Sequence, residues 1–334
     1  MTPTLAFALV LALQDSVLVR EFIYEKAPFP SCHCSTIVET KEGLVASWFG
    51  GTDEGKDDVG IWVSRHDGKA WSAPVEVANG VTVEKRYPSW NPVLFRPKEG
   101  PLTLYFKIGP FPDRWWGMAM TSTDGGKSWS KPAALPAEIL GPVRNSPIQL
   151  ADGTIVSPSS TEVPKGSWTA QVELSRDNGA TWKKIGPIND DTQVEVIQPA
   201  LLTWPGGKLQ MLCRNRNRGA MKGFIIDSWS DDGGRTWSPM KATDLPNPNS
   251  GIAATSLKDG RAILIYNRTP KGRTPLNVAV SSDGKSWKDV VVLESEPGEY
   301  SYPTVIQSAD GKVHVVYTWK RQKIRHVVID PTGI

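Results

Sequence analysis

Hydrophobic positions along this chain fall in short runs, each introduced by a turn glycine. Asp152-Gly153-Thr-Ile, Asp259-Gly260-Arg-Ala-Ile-Leu and Asp310-Gly311-Lys-Val-His-Val-Val show the form, and Gly43, Gly100 and Gly207 introduce equivalent runs. The run Lys208-Leu-Gln-Met-Leu-Cys213 is apolar, β-rich and of strand length. An Asp-Gly-type turn ahead of such a run suits a hairpin, so each glycine marks the junction of a first and a second strand.

A second pattern runs in step with the first. Ser122-Thr-Asp-Gly-Gly-Lys-Ser-Trp129, Ser175-Arg-Asp-Asn-Gly-Ala-Thr-Trp182 and Ser230-Asp-Asp-Gly-Gly-Arg-Thr-Trp237 share the form S-x-D-x-G-x-x-W. Ser64 to Trp71 and Ser281 to Trp287 are degenerate copies, and successive tryptophans lie 58, 53, 55 and 50 residues apart. Ser and Asp side chains can bond the turn's backbone amides, Gly admits positive φ, and Trp packs on the blade. These boxes are structural staples between a third strand and a fourth.

Four-stranded units of one period, repeated around a ring, make an all-β fold: a β-propeller. Six turn glycines predict six blades. The sixth, Tyr302 to Ile329, has no box. Its outer strand is expected from Ser16-Val-Leu-Val-Arg-Glu-Phe-Ile-Tyr24, which would close the ring. Residues 15–334 read as a single propeller with no linker.

Composition narrows the function. A net charge of +3 over 334 residues is too small and dispersed for a nucleic-acid or anionic-membrane partner. The apolar run Leu5–Leu13 is too short to span a bilayer and has signal-peptide length, so residues 1–14 are read as a leader, cut near Gln14 to Ser16. That implies a secreted or periplasmic protein. The three cysteines are too few for a disulfide framework and read as buried thiols. In Cys32-His33-Cys34, strand alternation sends His33 one way, to the channel mouth, and both cysteines the other, so no metal site is expected. No cofactor is implied, and the chain reads as a monomer.

In a propeller the first strands line the channel, and their starts converge at one end. Counting back nine or ten residues from each turn glycine reaches His33, Asn91, Arg144, Gln198, Gly251 with Ser250, and Tyr302. Loops after the second strands open to the same end. They carry Asp53, Glu54, Asp57 and Asp58, then Lys107, Glu162, Arg214, Arg268 with Arg273, and Arg321. Arg-rich surroundings suit an acidic sugar, because a guanidinium grips a carboxylate with two parallel hydrogen bonds. Trp115 and Trp116 are candidates for a sugar-stacking wall on the rim.

With its boxes in a six-blade register, the chain resembles the sialidase superfamily over nearly its whole length. That resemblance implies a glycosidase whose arginines hold a substrate carboxylate. By distance from the turn glycines, two of them fall on Arg214 and Arg273. The nucleophilic tyrosine falls on Tyr302, in Glu299-Tyr-Ser-Tyr-Pro303, and the acid in Thr52-Asp-Glu-Gly-Lys-Asp-Asp58, with Asp57 the best match by count. Two positions depart from the pattern. His33 stands where an arginine is expected, and Gln198 where a glutamate would activate the tyrosine. Arg144, Asn91, Lys107, Arg268, Arg321 and Asn249, the last in Leu245-Pro-Asn-Pro-Asn-Ser-Gly251, complete the expected substrate-binding set.

The phrases PSCHCST, ASWFGGTDEG, SWNPVLF and YSYPTVIQ also resemble a divergent branch that includes propeller enzymes acting on uronate-containing glycans, such as rhamnosyl-glucuronate lyases. Three readings follow. The first is an exported sialidase-like exo-glycosidase removing a terminal sialic or uronic acid. The second is a lyase in which His33 or Tyr302 takes a proton and an arginine neutralises the uronate. The third is a glycan-binding propeller without turnover.

Overall fold

A computed structural model describes residues 16–163 and 166–334; the expected leader lies outside the described residues. Six antiparallel sheets follow one another in chain order and form a six-bladed propeller. Blade 1 runs Ser31–Thr40, Gly43–Gly51, Gly60–His66 and Val75–Val81, with the short Arg86–Tyr87 as a fifth strand. Blade 4, from Val196–Thr203 at the axis to Lys241–Pro246 outside, repeats the plan. Blade 3 departs from it: its inner strand is reduced to Ile148–Gln149, and Arg144 and Asn145 lie in irregular backbone.

The ring closes as the hydrophobic pattern predicts. Val17–Phe22 pairs antiparallel with Lys323–Ile329 as the outer strand of blade 6, so first and last segments share one sheet. Closure leaves every blade with two covered faces, and the apolar core divides accordingly. Six of the apolar clusters among the described residues lie one at each junction between neighbouring blades. Burial on both faces explains why second strands such as Leu209–Asn215 are buried throughout rather than alternating.

The boxes staple these junctions. In blade 2, Ser122 Oγ accepts from Gly126 N at 2.8 Å and donates to Asp124 Oδ1 at 2.8 Å. Asp124 Oδ1 also accepts from the amides of Lys127 and Ser128 at 3.0 and 2.9 Å. The same bonds recur around Asp177 and Asp232, whose carboxyls are pulled down to about 2 chiefly by the Thr181 and Thr236 hydroxyls. The box tryptophans wedge toward the preceding blade: Trp129 joins the cluster of blades 1 and 2, Trp237 that of blades 3 and 4, and Trp287 that of blades 4 and 5.

Candidate active site

Four of the six inner strands share one irregularity. The ladder slips between His33 and Thr36, Trp90 and Val93, Ile197 and Ala200, and Ser301 and Thr304. Each gap holds one residue of positive φ: Cys34 (58°), Asn91 (40°), Gln198 (55°) and Tyr302 (51°). All four stand nine residues before their turn glycine. A residue with a side chain is strained at such φ, and a bulge of this kind bends the strand and re-aims a side chain. The propeller thus repeats one device to present selected groups at the axis.

Two of those groups meet. Tyr302 Oη accepts from Arg214 Nη1 at 2.7 Å and from Gln198 Nε2 at 3.1 Å. Arg214 Nη1 also donates to Gln198 Oε1 at 3.1 Å, which fixes the amide with its nitrogen toward the phenol. Arg214 Nε donates to Asn249 Oδ1 at 2.7 Å, so Asn249 orients the guanidinium. With two donors on the phenol oxygen, its own O–H must point elsewhere. Blade 5 contributes Gly251, where a Cβ would stand 3.4 Å from both Gln198 Oε1 and the Tyr302 ring.

Guanidinium groups surround the tyrosine. Those of Arg214 and Arg273 lie 5.8 and 5.7 Å from the centre of its ring. Glu299 Oε1 accepts from Arg273 Nη1 at 2.7 Å and from Arg321 Nε at 3.0 Å, and Arg321 Nη1 also pairs with Glu54. Arg321 stands on the blade 6 hairpin turn, with φ of 58°, and its carbonyl accepts from Cys32 N at 2.8 Å. Burial lowers the basicity of Arg321, but Glu54 and Glu299 outweigh it and hold the guanidinium charged. The bond to Cys32 places Arg321 beside His33, the position where the resemblance implied an arginine. Blade 6 thus places a guanidinium from a hairpin tip next to that position.

Several expected positions take other roles. His33 does meet Tyr302, ring centres 4.1 Å apart, but it is 1% exposed, and its Nδ1 bonds Thr318 Oγ1 at 3.1 Å. Burial, then the charges of Arg321, Arg273, Arg144 and Arg214, pull its pKa well down, so the imidazole is neutral and sealed from the mouth. The bulge at Cys34 is why strict alternation failed here. Cys32 packs on Tyr24 at the junction of blades 6 and 1, whereas Cys34 joins the cluster of blades 1 and 2 with Tyr302, so the cysteines do not share a face.

Arg144 is fully buried, 5.2 Å from the Tyr302 ring centre, and donates to Thr304 Oγ1 at 3.1 Å and to the Pro303 carbonyl. It braces the backbone that carries Tyr302 and does not face a ligand. Lys107, also fully buried, donates to the Pro142 carbonyl, and burial pulls it down to about 7. Asn91 donates to Val143 O at 3.0 Å across blades 2 and 3. Arg268 pairs with Asp289 at 2.5 Å on the outer strand of blade 5, away from the axis.

Within the Thr52–Asp58 loop, Asp58 staples the Thr52 amide and hydroxyl, and Asp57 is exposed. Glu54 is the loop carboxylate that reaches the arginines. Trp115 is buried against Trp90 beneath the rim, and Trp116 packs edge-on to Tyr87. Arg216 pairs with Glu195 at 2.5 Å and lies over Trp168.

Glu162 and Glu299 complete the set. Glu162 ends the second strand of blade 3, on which Ser160 Oγ accepts from Gln198 N at 3.1 Å. Surrounding protein pushes its carboxyl up, as does the charge of Glu54, against the opposing pull of Arg214 and Arg216. No cluster of His, Cys, Asp or Glu among the described residues has the geometry of a metal site. A surface groove of about 780 Å³ between blades 4 and 5 is lined by Trp204, Trp229 and the blade 5 box and contains none of these groups.

The family model for the BNR repeat-like domain matches residues 42–315. The chain belongs to that family. A Bacteroides fragilis protein named "Sialidase" is 30% identical over 188 residues, covering 49% of this chain and 31% of the relative. The BNR chain thus spans about a third of that relative's length. Among solved structures, a Dyadobacter fermentans protein of unknown function superposes with a TM-score of 0.77 at 20% identity, covering 94% of this chain and 98% of the other. The NanB sialidase from Streptococcus pneumoniae gives 0.73 at 14% identity, covering 94% and 71%. At such identities the structural likeness speaks for the fold.

Proposed function

We propose that this BNR-family propeller is an exported, sialidase-like exo-glycosidase that removes a terminal acidic sugar, a sialic or a uronic acid, from a glycan. One observation carries the reading: the Tyr302 oxygen is held by Arg214 and Gln198, with the Arg273 guanidinium 5.7 Å from its ring centre and Arg321 joined to Arg273 through Glu299. Those guanidiniums bind the sugar carboxylate, which sets the anomeric carbon over the phenol. Tyr302 then attacks that carbon or stabilises the charge developing on it, and a mouth carboxyl protonates the departing oxygen. The named relative supports the same chemistry. No helix among the described residues is long and apolar enough to cross a membrane.

Incubation with sialyl-lactose and with uronate-capped glycans tests this. Release of the free acid sugar is expected, and an initially retained anomeric configuration would give Tyr302 the nucleophile's role. Inversion would leave it as a stabiliser. A second reading has one observation in its favour: both contacts on the phenol oxygen are donors, and no carboxylate touches it. Elimination needs no nucleophile pair, only carboxylate neutralisation and a base such as Tyr302. It would give an unsaturated uronate, seen by its ultraviolet absorbance and by mass. Binding of an acidic glycan with no turnover of either kind, unaffected by Tyr302→Phe, would replace both readings by a binding module.

A further inference from the structure

Three carboxyls reach this mouth, and they are not equivalent. Glu299 bridges Arg273 and Arg321, and Glu54 is paired with Arg321. Both are engaged by guanidinium groups. Glu162 comes from the opposite side of the channel, at the end of the strand Ile155–Glu162, facing Trp168 across the hairpin. Ser160, two residues back on the same face of that strand, accepts from Gln198 N at 3.1 Å, and the Arg214 guanidinium lies 5.6 Å from the centre of the Trp168 ring. Glu162 therefore stands beside the two residues that hold the phenol and keeps part of its surface open.

We propose that Glu162 is a catalytic residue of this site, the proton donor to the departing glycosidic oxygen. The inference rests on the reading of the site as one that cleaves a glycosidic bond of an acidic sugar. In the step, the Glu162 O–H proton moves to the glycosidic oxygen. The electron pair of the breaking carbon–oxygen bond goes to that oxygen, which leaves as an alcohol. The charge left on the anomeric carbon is met at Tyr302 and finally by a water oxygen, and that water returns one proton to the Glu162 carboxylate. One water is consumed and the enzyme is unchanged.

Burial favours the protonated form of Glu162, the form that a donor needs. Elimination also needs a proton on its leaving oxygen, so the assignment is not tied to hydrolysis.

Leaving-group dependence tests it. A donor matters for a sugar alcohol, a poor leaving group, and little for an aryl alcohol that leaves without help. Glu162→Gln should lower kcat about 100-fold or more on sialyl- or uronyl-oligosaccharides, the usual scale for losing a general acid. Turnover of the matching methylumbelliferyl glycoside should stay near the wild-type value. The alkaline limb of the pH–rate profile should flatten on the oligosaccharide.

Equal loss on both substrates, no loss on either, or an unchanged alkaline limb would each overturn the assignment. Thermal unfolding controls for folding, and Glu162→Ala, read with the same substrate pair, replaces a Gln variant that does not fold. If the wild-type product is unsaturated, the hydrolytic reading falls while the leaving-group test of Glu162 still stands. Wild-type silence on every acidic glycoside would overturn both.

Discussion

At the scale of single residues, Arg321 is where the proposed grip on a substrate carboxylate can be tested. Its guanidinium is held by Glu299 and Glu54 and stands on the turn that binds Cys32 N. If it replaces a blade 1 arginine, Arg321→Ala should raise KM for an acidic substrate about 10- to 100-fold, the value of a hydrogen bond to a charged group. Calorimetric binding of the free sugar acid should weaken in parallel, while kcat falls less. Arg268→Ala, beside Asp289 on the outer strand, should change neither. Unaltered KM in Arg321→Ala would remove that residue from the ligand. Distance from a turn glycine was enough to find Tyr302, Arg214 and Gln198, because each lies on a strand whose register the turn sets. Glu299 and Arg321 meet Arg273 only where blades 5 and 6 come together, and no spacing in the sequence encodes that meeting.

Elements were legible where their chemistry is local. Each box contains its own donors, acceptors and turn glycine within eight residues, so Ser122 to Trp129 could be read as a staple before any fold was known. Bulges were not legible in that way. A positive φ at Cys34 leaves no mark on PSCHCST, yet it parts Cys34 from Cys32 and brings His33 against Tyr302. Four strands with the irregularity at one register position show it to be a property of the ring, imposed by inner strands that crowd the axis. The box should behave independently of the site. Ser230 is buried, and its Oγ accepts from Gly234 N at 2.9 Å and donates to Asp232 Oδ1 at 2.9 Å. Ser230→Ala should cost about 1–2 kcal/mol, as for a lost capping hydroxyl, read as a lower denaturant midpoint. Turnover per folded molecule should stay at the wild-type value, and a drop in kcat without a drop in stability would show the boxes to be coupled to the axis.

Closure of the whole ring rests on a polar chain that runs alongside the apolar junctions. Trp71 Nε1, from the blade 1 box, donates to Glu21 Oε1 at 2.9 Å on the N-terminal strand. His326 Nδ1 meets the same oxygen at 2.9 Å, its Nε2 meets His314 Nδ1 at 3.0 Å, and His314 Nε2 meets Ser308 Oγ at 3.1 Å. Ser308 bonds Asp310 at the turn of the blade 6 hairpin. Ser308 gives its one proton to Asp310, so with one N–H on each imidazole one link stays unmade, and a single extra proton completes the chain. A second would set N–H against N–H across the 3.0 Å contact. Burial, then the charge of His326, pulls His314 down to about 4, so the unfolded chain takes up that proton first as pH falls. A depressed imidazole pKa means stability that is complete above the unfolded value, about 6.5, and is lost as pH falls toward 4. Glu21 acts in the same sense, because its bond to His326 lowers its pKa and its contribution fades on acidification. Acid should therefore loosen the ring at blade 6 before any other junction. Hydrogen exchange of the Val17–Phe22 amides, followed from pH 7 to 4 and corrected for intrinsic rates, should lose protection ahead of the blade 4 strands. Replacing His314 by Gln, which takes up no proton, should flatten that pH dependence. Uniform loss of protection around all six blades would show that closure does not depend on this chain.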